Sequence, residues 1–400
     1  MKHAYIYDAI RSPRTKAKDS GGLHDLPPQE LLRQLYEALR QRTGVDPADI
    51  GEIVLGCVTQ HGEQAGNIAK TSALYAGWPS SISGITLNRF CSSGIDAIAL
   101  AALKVITGQS RAIIAGGVEM MSRVPMLADQ PRAFVDRAFA SRCQMLMMGS
   151  GADLIASLHG VTREQADTVA LHSQQRAARA QVEGYFKSIV PIHNTHKGIT
   201  VAVDECVRGQ VTLEQLAQLP PAFAEAGAQG VDRLQLEKYP GLNNIRHIHT
   251  AGNSPAMCDG GAALLIADDS FTDVLGHAPR ARILAAASAD GDPLQVLSGC
   301  INATARLLRE QRLSASSVDL FELHEAFAAT MMKAQQDLDI PADRLNVNGG
   351  VIALGHPMGA TGAIMAGTLL DELERRELDI GLVAASGAAG CGSAMLVERC

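Results

Sequence analysis

The sequence predicts a layered α/β fold, and three observations support this. Short apolar, β-branched segments alternate with stretches whose apolar residues recur at helical spacing. Many strand-like segments end in glycine-rich or polar turns that lead directly into helices, as in parallel sheets with crossover helices. With 400 residues, 46% of them hydrophobic, the chain can bury one large core or two ordinary ones.

The first 116 residues show the alternation most clearly. Short apolar runs predict the strands, and apolar residues at helical spacing predict the helices between them. Ser92 and Ser93 are the N-cap candidates of the third helix. In chain order we predict strand 4–9, helix 28–43, strand 50–57, helix 67–77, strand 82–87, a helix that starts at Ser92 or Ser93, and strand 111–115.

The alternation stops between residues 116 and 249. This segment contains a methionine- and glycine-rich stretch, one long polar-faced helix at 162–182, and no strand–helix rhythm from 189 to 244. A connection of this length usually covers a binding site. The alternation then returns, with predicted strands 260–267, 281–288, 320–323 and 381–385 and helices 294–310, 325–338 and 359–376.

Two distant segments have the same order of features. Residues 92–117 and the region around 359–385 each contain small residues, an apolar helix, a polar turn and an apolar strand. The likeness predicts two copies of one βα unit. Because both helices are rich in alanine and glycine, we expect them to pack closely at the centre of the molecule.

Composition and charge exclude several classes of protein. A net charge of -7 and the lack of a Lys/Arg cluster give no electrostatic footprint for nucleic acid. The eight cysteines have neither CxxC nor metal-ligand spacing, and indicate a reducing compartment rather than a disulfide scaffold. No apolar run is long enough to span a bilayer, and the N-terminus lacks an apolar signal core. We therefore expect a cytoplasmic protein that binds neither nucleic acid nor metal.

Three residues point to acyl transfer. Cys91 lies between a predicted strand and a predicted helix, where backbone amides and the helix dipole are expected to lower its pKa. His324 follows another strand, and His356 lies between Gly355 and a proline that can start a helix. One cysteine or one histidine would more often be structural. Three at strand ends, where α/β proteins bind ligands, favour a cysteine nucleophile with a histidine base.

At these residues the sequence resembles the thiolase family, whose members join two acyl-CoA molecules or cleave a 3-ketoacyl-CoA with coenzyme A. The likeness runs nearly from end to end, and four ordered motifs make it specific. The motifs are NRFCSSG at 88–94, AGGVEMMS at 115–122, HEAF at 324–327 and NGGVIALGHPMGATGA at 348–363.

The resemblance implies a five-layer αβαβα fold of two similar halves. It also implies acyl-CoA and CoA as substrates, no bound cofactor, and a homodimer or homotetramer. The segment VDECVRG implies an ion pair of Arg208 with Asp204 or Glu205. The implied division is an N-terminal half of residues 1–116 and 250–275, a loop domain of residues 117–249 covering the active site, and a C-terminal half of residues 276–400.

Carried over residue by residue, the resemblance implies that Cys91 is the acyl-accepting nucleophile and His356 the base that activates it. His324 stands where many thiolases have asparagine, in a motif that helps to hold a water or donor at the thioester oxygen. The HEAF form is similar to that of β-subunits of fatty-acid oxidation complexes, so such a complex is an expected partner. The implied oxyanion donors are the backbone amides of Cys91 and Ala388. The implied CoA contacts are Met148, Ala251, Ser254, Pro255, Ala326 and Phe327.

One departure from the family pattern concerns the chemistry. The family has a second cysteine, which exchanges a proton with the α-carbon of acetyl-CoA, where this chain has Ser386. Serine is a poor base, so the substitution predicts a weakened Claisen step unless another group replaces it. Cys391 could do so only if its loop were remodelled. A second departure is Pro255, which replaces a serine near pantetheine.

Three functions are therefore weighed. The first is a degradative thiolase acting on 3-ketoacyl-CoA. The second is a related acyltransferase whose second half-reaction is decarboxylative condensation or thioester exchange, as Ser386 and the paired histidines suggest. The third is a non-catalytic acyl-CoA-binding subunit, which would need neither Cys91 nor His356.

Overall fold

The computed structural model describes residues 2–400. Its strands are β1 (Ala4–Arg11), β2 (Thr15–Lys16), β3 (Glu52–Gly56), β4 (Ser83–Leu87), β5 (Ala112–Met120), β6 (Ile192–Asn194), β7 (Ile199–Val201), β8 (Cys258–Ala267), β9 (Ala281–Ser288), β10 (Leu320–Leu323), β11 (Ile380–Ser386) and β12 (Gly392–Arg399).

The helices agree with most of the predicted ones, with boundaries that differ by a few residues. They are α1 (Pro28–Thr43), α2 (Ile68–Tyr75), α3 (Ser93–Ile106), α4 (Arg132–Val135), α5 (Arg137–Cys143), α6 (Met148–His159), α7 (Arg163–Val182), α8 (Leu213–Ala217), α9 (Ala224–Ala226), α10 (Asp232–Lys238), α11 (Phe271–Leu275), α12 (Gly299–Gln311), α13 (Ala328–Asp337), α14 (Val351–Leu354) and α15 (Thr361–Arg376).

The strands form two halves with the same topology. In the N-terminal half the order is β4-β3-β5-β8-β1, where β3 pairs in parallel with β4 and β5, and β8 pairs antiparallel with β5 and β1. The C-terminal half repeats this order with a short parallel bridge at Leu345, followed by β10, β11, β12 and β9. The halves are joined where Ala4–Ile6 pair with residues 281–283. The predicted internal repeat is therefore confirmed.

Five layers result from how the helices bury their apolar faces. Helices α3 and α15 share one core with strands of both halves and form the central layer. Helices α1 and α2 cover the outer face of the N-terminal half. Helices α12 and α13 cover the outer face of the C-terminal half. The predicted α/β fold of five layers is thus the one observed.

The two central helices approach each other closely at glycine. A Cβ atom on Gly94 of α3 would lie 2.6 Å from the backbone nitrogen of Ala363, and one on Gly362 of α15 would lie 2.6 Å from a side-chain carbon of Ile95. Neither distance can be tolerated by a real side chain. The small residues of these helices therefore let the two halves meet backbone to backbone.

The long excursion after β5 is more regular than the sequence predicted. It contains the hairpin of β6 and β7 as well as helices α4 to α10. Its long helix α7 begins with a capping box, in which Thr162 and Gln165 bond each other's backbone amides. In the range 2–400, none of the helices combines the length and apolar character needed to span a bilayer.

The expected ion pair of Arg208 is wrong. Asp204 instead accepts two hydrogen bonds of 2.8 Å from the guanidinium of Arg11 and lies 3.6 Å from that of Arg14. Glu205 accepts backbone amides, including that of Gly22 at 2.9 Å. The acidic pair thus anchors the excursion to the end of β1 and the segment that follows it, whose arginines are closer in space than Arg208.

Candidate active site

Cys91, His324 and His356 meet where segments of both halves converge, although the prediction that all three follow strands is wrong for His356, which lies in the loop between α14 and α15. Cys91 lies between β4 and α3, His324 directly follows β10, and His356 precedes α15. The Cys91 Sγ lies 3.1 Å from the His356 Nε2, and the centroids of the two imidazole rings are 4.4 Å apart. The topology thus brings together the three residues that the strand-end argument singled out.

His356 is held as a neutral imidazole that accepts the thiol proton. Its Nδ1 lies 2.7 Å from the Thr361 Oγ1, and its Nε2 faces the Cys91 thiol; with Nδ1–H donating to the threonine hydroxyl, Nε2 is the acceptor for Cys91. Burial lowers the pKa of His356 well below its usual value, and the nearby His324 ring and Arg14 guanidinium lower it further. Gly355 turns the chain into this position with a φ of 95°.

The expected lowering of the Cys91 pKa is wrong for the unliganded protein. Burial, and to a smaller extent the nearby carboxylate of Glu119, raises the pKa of this thiol to about 12. The N-cap prediction also needs correction, because the Ser92 hydroxyl donates to the Ala385 carbonyl at 2.8 Å instead of capping α3. Cys91 and His356 therefore form a neutral thiol–imidazole pair, in which proton transfer accompanies attack on the acyl group.

His324 is the second buried imidazole of the site. Its Nδ1 lies 3.1 Å from the carbonyl oxygen of Ser386, and its Nε2 has no hydrogen-bond partner within residues 2–400. Because a carbonyl oxygen only accepts, Nδ1 carries the proton and Nε2 presents a lone pair. Burial lowers the pKa of His324 to about 4, which keeps the ring neutral at physiological pH.

Ser386 and Cys391 do not face the reacting thiol. The Ser386 Oγ is fully buried and accepts the backbone amide of Cys300 at 2.9 Å. The loop after Ser386 is closed by a 2.7 Å hydrogen bond from the Gly387 amide to the Cys391 carbonyl. Neither side chain lines the cavity at Cys91. Of the predicted catalytic set, the structure brings together Cys91, His324 and His356, but not the Ser386 hydroxyl.

An apolar cavity of about 110 Å³ opens onto the Cys91 thiol. Four of the residues expected to contact CoA line it: Met148, Pro255, Ala326 and Phe327. Ala251 and Ser254 lie outside its wall. The sequence reasoning missed four lining residues, Met121, Met126, Leu297 and Met358. Met121 and Met358 belong to quoted motifs and could have been found there, whereas Leu297 carries no signal in the sequence.

The two predicted oxyanion donors are free to bind a ligand. The amides of Cys91 and Ala388 have no acceptor in the described part of the chain, residues 2–400, although their neighbours Ser92 and Cys391 donate to local carbonyls. Ala388 begins a short turn directly after Gly387, and Cys91 precedes the first turn of α3. Backbone amides that face the carbonyl oxygen of an acyl group can stabilise its negative charge in a tetrahedral intermediate.

A buried carboxylate that the sequence reasoning overlooked supports the site. Glu119 accepts the amides of Val58, Thr59 and Gly359 at 2.9 to 3.0 Å, and also the side-chain amide of Gln64. It thereby connects the end of β5 with the loop that follows His356. Its place in AGGVEMMS was the available signal.

Comparison with known proteins agrees with this geometry. The family model described as "Thiolase, N-terminal domain" matches residues 4–270, and "Thiolase, C-terminal domain" matches residues 277–399. Proteins named 3-ketoacyl-CoA thiolase from Shewanella frigidimarina and Bacillus subtilis are 37% and 36% identical to this chain, with 100% of both chains covered in each case.

A solved structure shows the same similarity in three dimensions. The crystal structure of the Bacillus anthracis acetyl-CoA acetyltransferase superposes with a TM-score of 0.86 at 33% identity, covering 100% of this chain and 99% of the other. The two family matches together span nearly all of the sequence, and the relatives are matched along their full length. The chain therefore belongs to the thiolase family of acyltransferases.

Proposed function

We propose that this thiolase cleaves 3-ketoacyl-CoA by thiolysis through an acyl-enzyme on Cys91. The observation that carries the proposal is the 3.1 Å contact between the Cys91 Sγ and the His356 Nε2 inside an apolar cavity. The names of the full-length relatives support the substrate class. A non-catalytic binding subunit is disfavoured, because binding alone requires no thiol–imidazole pair.

In the first step His356 takes the thiol proton as the Cys91 sulfur attacks the C3 carbonyl carbon of the substrate. The amides of Cys91 and Ala388 are placed to hold the resulting oxyanion. The C2–C3 bond then breaks, which leaves an acyl thioester on Cys91 and releases acetyl-CoA once C2 has taken up the proton that His356 removed from the thiol. In the second step the thiol of CoA attacks the thioester, and its proton returns to Cys91 through His356.

The acyl-enzyme can be tested by intact mass spectrometry. We expect an acyl adduct on the wild type after incubation with acetyl-CoA and quenching in acid. Cys91→Ala should abolish the adduct, whereas Cys143→Ser, at an exposed cysteine outside the site, should keep it. An adduct that survives Cys91→Ala, or none on the wild type, would refute the proposed mechanism.

We further propose that CoA lies between the excursion and the C-terminal half, with pantetheine passing Met148 and Pro255. These two residues line the cavity at Cys91. The phosphates need positive charge, and a cavity of about 440 Å³ beside Met147 is lined by Arg137 and Arg233. A crystal structure with CoA tests this placement, and a nucleotide bound away from these two arginines would contradict it.

The assembly and location of the protein are also proposed. Strand β4 is the edge of the sheet, and Leu74, Tyr75 and Leu103 beside it are exposed, which supports pairing with a second copy as a homodimer or homotetramer. Light scattering that gives a monomer would contradict this. The fatty-acid oxidation partner and the cytoplasmic location rest on the sequence, and copurification and cell fractionation test them.

A further inference from the structure

Thiolysis and its reverse need a group that exchanges a proton with the α-carbon of acetyl-CoA, and Ser386 is unsuited to this role. Its hydroxyl already accepts the Cys300 amide at 2.9 Å and does not line the reactive cavity. An alcohol also hardly ionises in water. If the enzyme completes its reaction, the proton must be exchanged by a different group.

His324 has the position and the free acceptor atom that such a group requires, although burial lowers its pKa to about 4. It is 2% exposed, and it lines the same cavity as Cys91. The hydrogen bond from its Nδ1 to the Ser386 carbonyl fixes the tautomer, so that the lone pair is on Nε2. This nitrogen has no hydrogen-bond partner in the described residues, 2–400. Most buried polar atoms of folded proteins are hydrogen-bonded, so this free acceptor in the cavity wall is available to contact a substrate.

The other basic groups nearby are already engaged. Both ring nitrogens of His356 have partners, Cys91 and Thr361. Glu119 accepts hydrogen bonds from three backbone amides and does not line the cavity. Cys391 lies outside the cavity wall as well. Of the proton acceptors that line the cavity, His324 Nε2 is the one with a free lone pair.

We propose that His324 is the general base at the α-carbon, and that its Nε2 exchanges the proton that a cysteine exchanges in other members of the family. The proposal rests on the proposed function, because it presumes an acyl group on Cys91. One explanation then covers both departures from the family pattern: histidine replaces asparagine at position 324, and serine replaces cysteine at position 386. The proposed base, His324, follows β10, whereas the family's cysteine occupies the position of Ser386 at the end of β11.

The proton balance closes within the site. In the condensation direction, Nε2 of His324 removes a proton from C2 of acetyl-CoA, and the carbon electron pair forms the bond to the carbonyl carbon of acyl-Cys91. The bond from that carbon to the Cys91 sulfur breaks, and the thiolate leaves. The proton on His324 then reaches the thiolate through His356, whose ring centroid is 4.4 Å away. Thiolysis runs the same steps in reverse.

Deuterium exchange separates this step from acyl transfer. The enzyme is incubated with acetyl-CoA in D₂O, deuterium in the acetyl methyl group is followed by mass spectrometry, and acyl-Cys91 is measured in the same samples. We expect His324→Asn to lose much less of its acylation rate than of its exchange rate. We expect its exchange rate to fall by about a hundred- to ten-thousand-fold, the usual effect of losing a positioned base.

A further variant distinguishes a base from a packing residue. In His324→Ala, added imidazole should restore exchange, because a free base can enter the space left by the ring. A merely structural role would not be rescued in this way. His172→Asn, at an exposed histidine on α7, is the control for both assays.

Each outcome has a defined meaning. If wild type acylates Cys91 but exchanges no deuterium, or if His324→Asn exchanges within about threefold of wild type, His324 is not the base and the proposal is wrong. If wild type forms no acyl-enzyme, the proposed function itself fails. If His324→Asn misfolds and loses both activities, rescue of His324→Ala by imidazole decides: exchange that returns supports the base, and exchange that does not return overturns it.

Discussion

Glu119 accepts the backbone amide of Gly359 at 2.9 Å and thereby joins the strand that ends beside the nucleophile to the loop that carries the base. The same carboxylate accepts the amides of Val58 and Thr59. Burial raises its pKa, although these hydrogen bonds oppose the rise. The distance between Cys91 and His356 thus depends on a residue that touches neither.

We expect Glu119→Gln to slow acylation and to lower stability. The new amide group would direct N–H bonds at backbone donors, and at least one buried donor would lose its acceptor, at a cost of about 1–3 kcal/mol. Urea unfolding and the acylation rate of Cys91 measure the two effects. Glu63→Gln, which removes a more exposed partner of Arg123, should cost less than about 1 kcal/mol. Equal losses in the two variants would contradict the role of Glu119.

Gly355→Ala should damage the site more than an ordinary glycine replacement. Gly355 has a φ of 95°, and an added Cβ would lie 2.8 Å from the Cys258 Sγ. Gly276 is a matched control, because its φ is 73° and an added Cβ meets no atom within 4 Å. We expect Gly276→Ala to cost about 1 kcal/mol, the usual penalty for left-handed backbone, and to keep its activity. If both variants acylate equally well, the rigidity of the turn before His356 is unimportant.

Alkylation of Cys91 by iodoacetamide should increase with pH without a plateau near neutrality. Burial raises the pKa of the thiol to about 12, so the thiolate fraction rises about tenfold per pH unit from about pH 6 to pH 9. The rate is measured by mass spectrometry, with Cys91→Ala to subtract other cysteines. A plateau beginning near pH 7 would instead indicate a preformed thiolate–imidazolium pair.

Asp204→Asn should destabilise the protein by about 3–5 kcal/mol, because it leaves the buried guanidinium groups of Arg11 and Arg14 without their carboxylate. Thermal unfolding measures the loss, and Asp343→Asn, at an exposed residue, should change little. A change of less than about 1 kcal/mol would show that this pair is not needed.

The pH dependence of the same pair has a definite sign. Burial alone would raise the pKa of Asp204, but the charges of Arg11 and Arg14 hold it below its usual value. A depressed pKa means that the stabilisation is complete above the unfolded value, about 3.9, and is lost as the pH falls through the folded value. Wild type should therefore lose more stability than Asp204→Asn on acidification below about pH 4. Parallel acid unfolding curves would contradict this.

The fold and the three central residues could be predicted because both follow from local patterns. Periodicity located β4, α3 and α15, and strand ends of an α/β fold are where side chains converge. This placed Cys91 and His324 at one site before any contact was known, whereas His356 follows the short helix α14, which the strand-end rule did not anticipate. The same local reasoning missed the regular structure of residues 189–244, because helices of only a few residues give little periodic signal.

The remaining features depend on tertiary contacts. Leu297 reaches the cavity through packing, and Asp204 finds its partners almost 200 positions earlier in the chain. The pKa of Cys91 was predicted in the wrong direction because the argument counted the helix dipole and could not count burial. The lone pair of His324 likewise depends on which carbonyl lies beside its ring.

The close approach of Gly94 and Gly362 also means that the active site forms only when the two halves of the chain are associated. Cys91 belongs to the segment matched by one family model and His356 to the segment matched by the other, so neither piece alone contains a reactive pair. The crossing of α3 and α15 aligns them. If the halves were produced as separate chains, covalent labelling of Cys91 by acetyl-CoA would report their association. A bulky residue at either glycine would prevent the halves from associating. Labelling of Cys91 would then be lost, although every reactive group is still present.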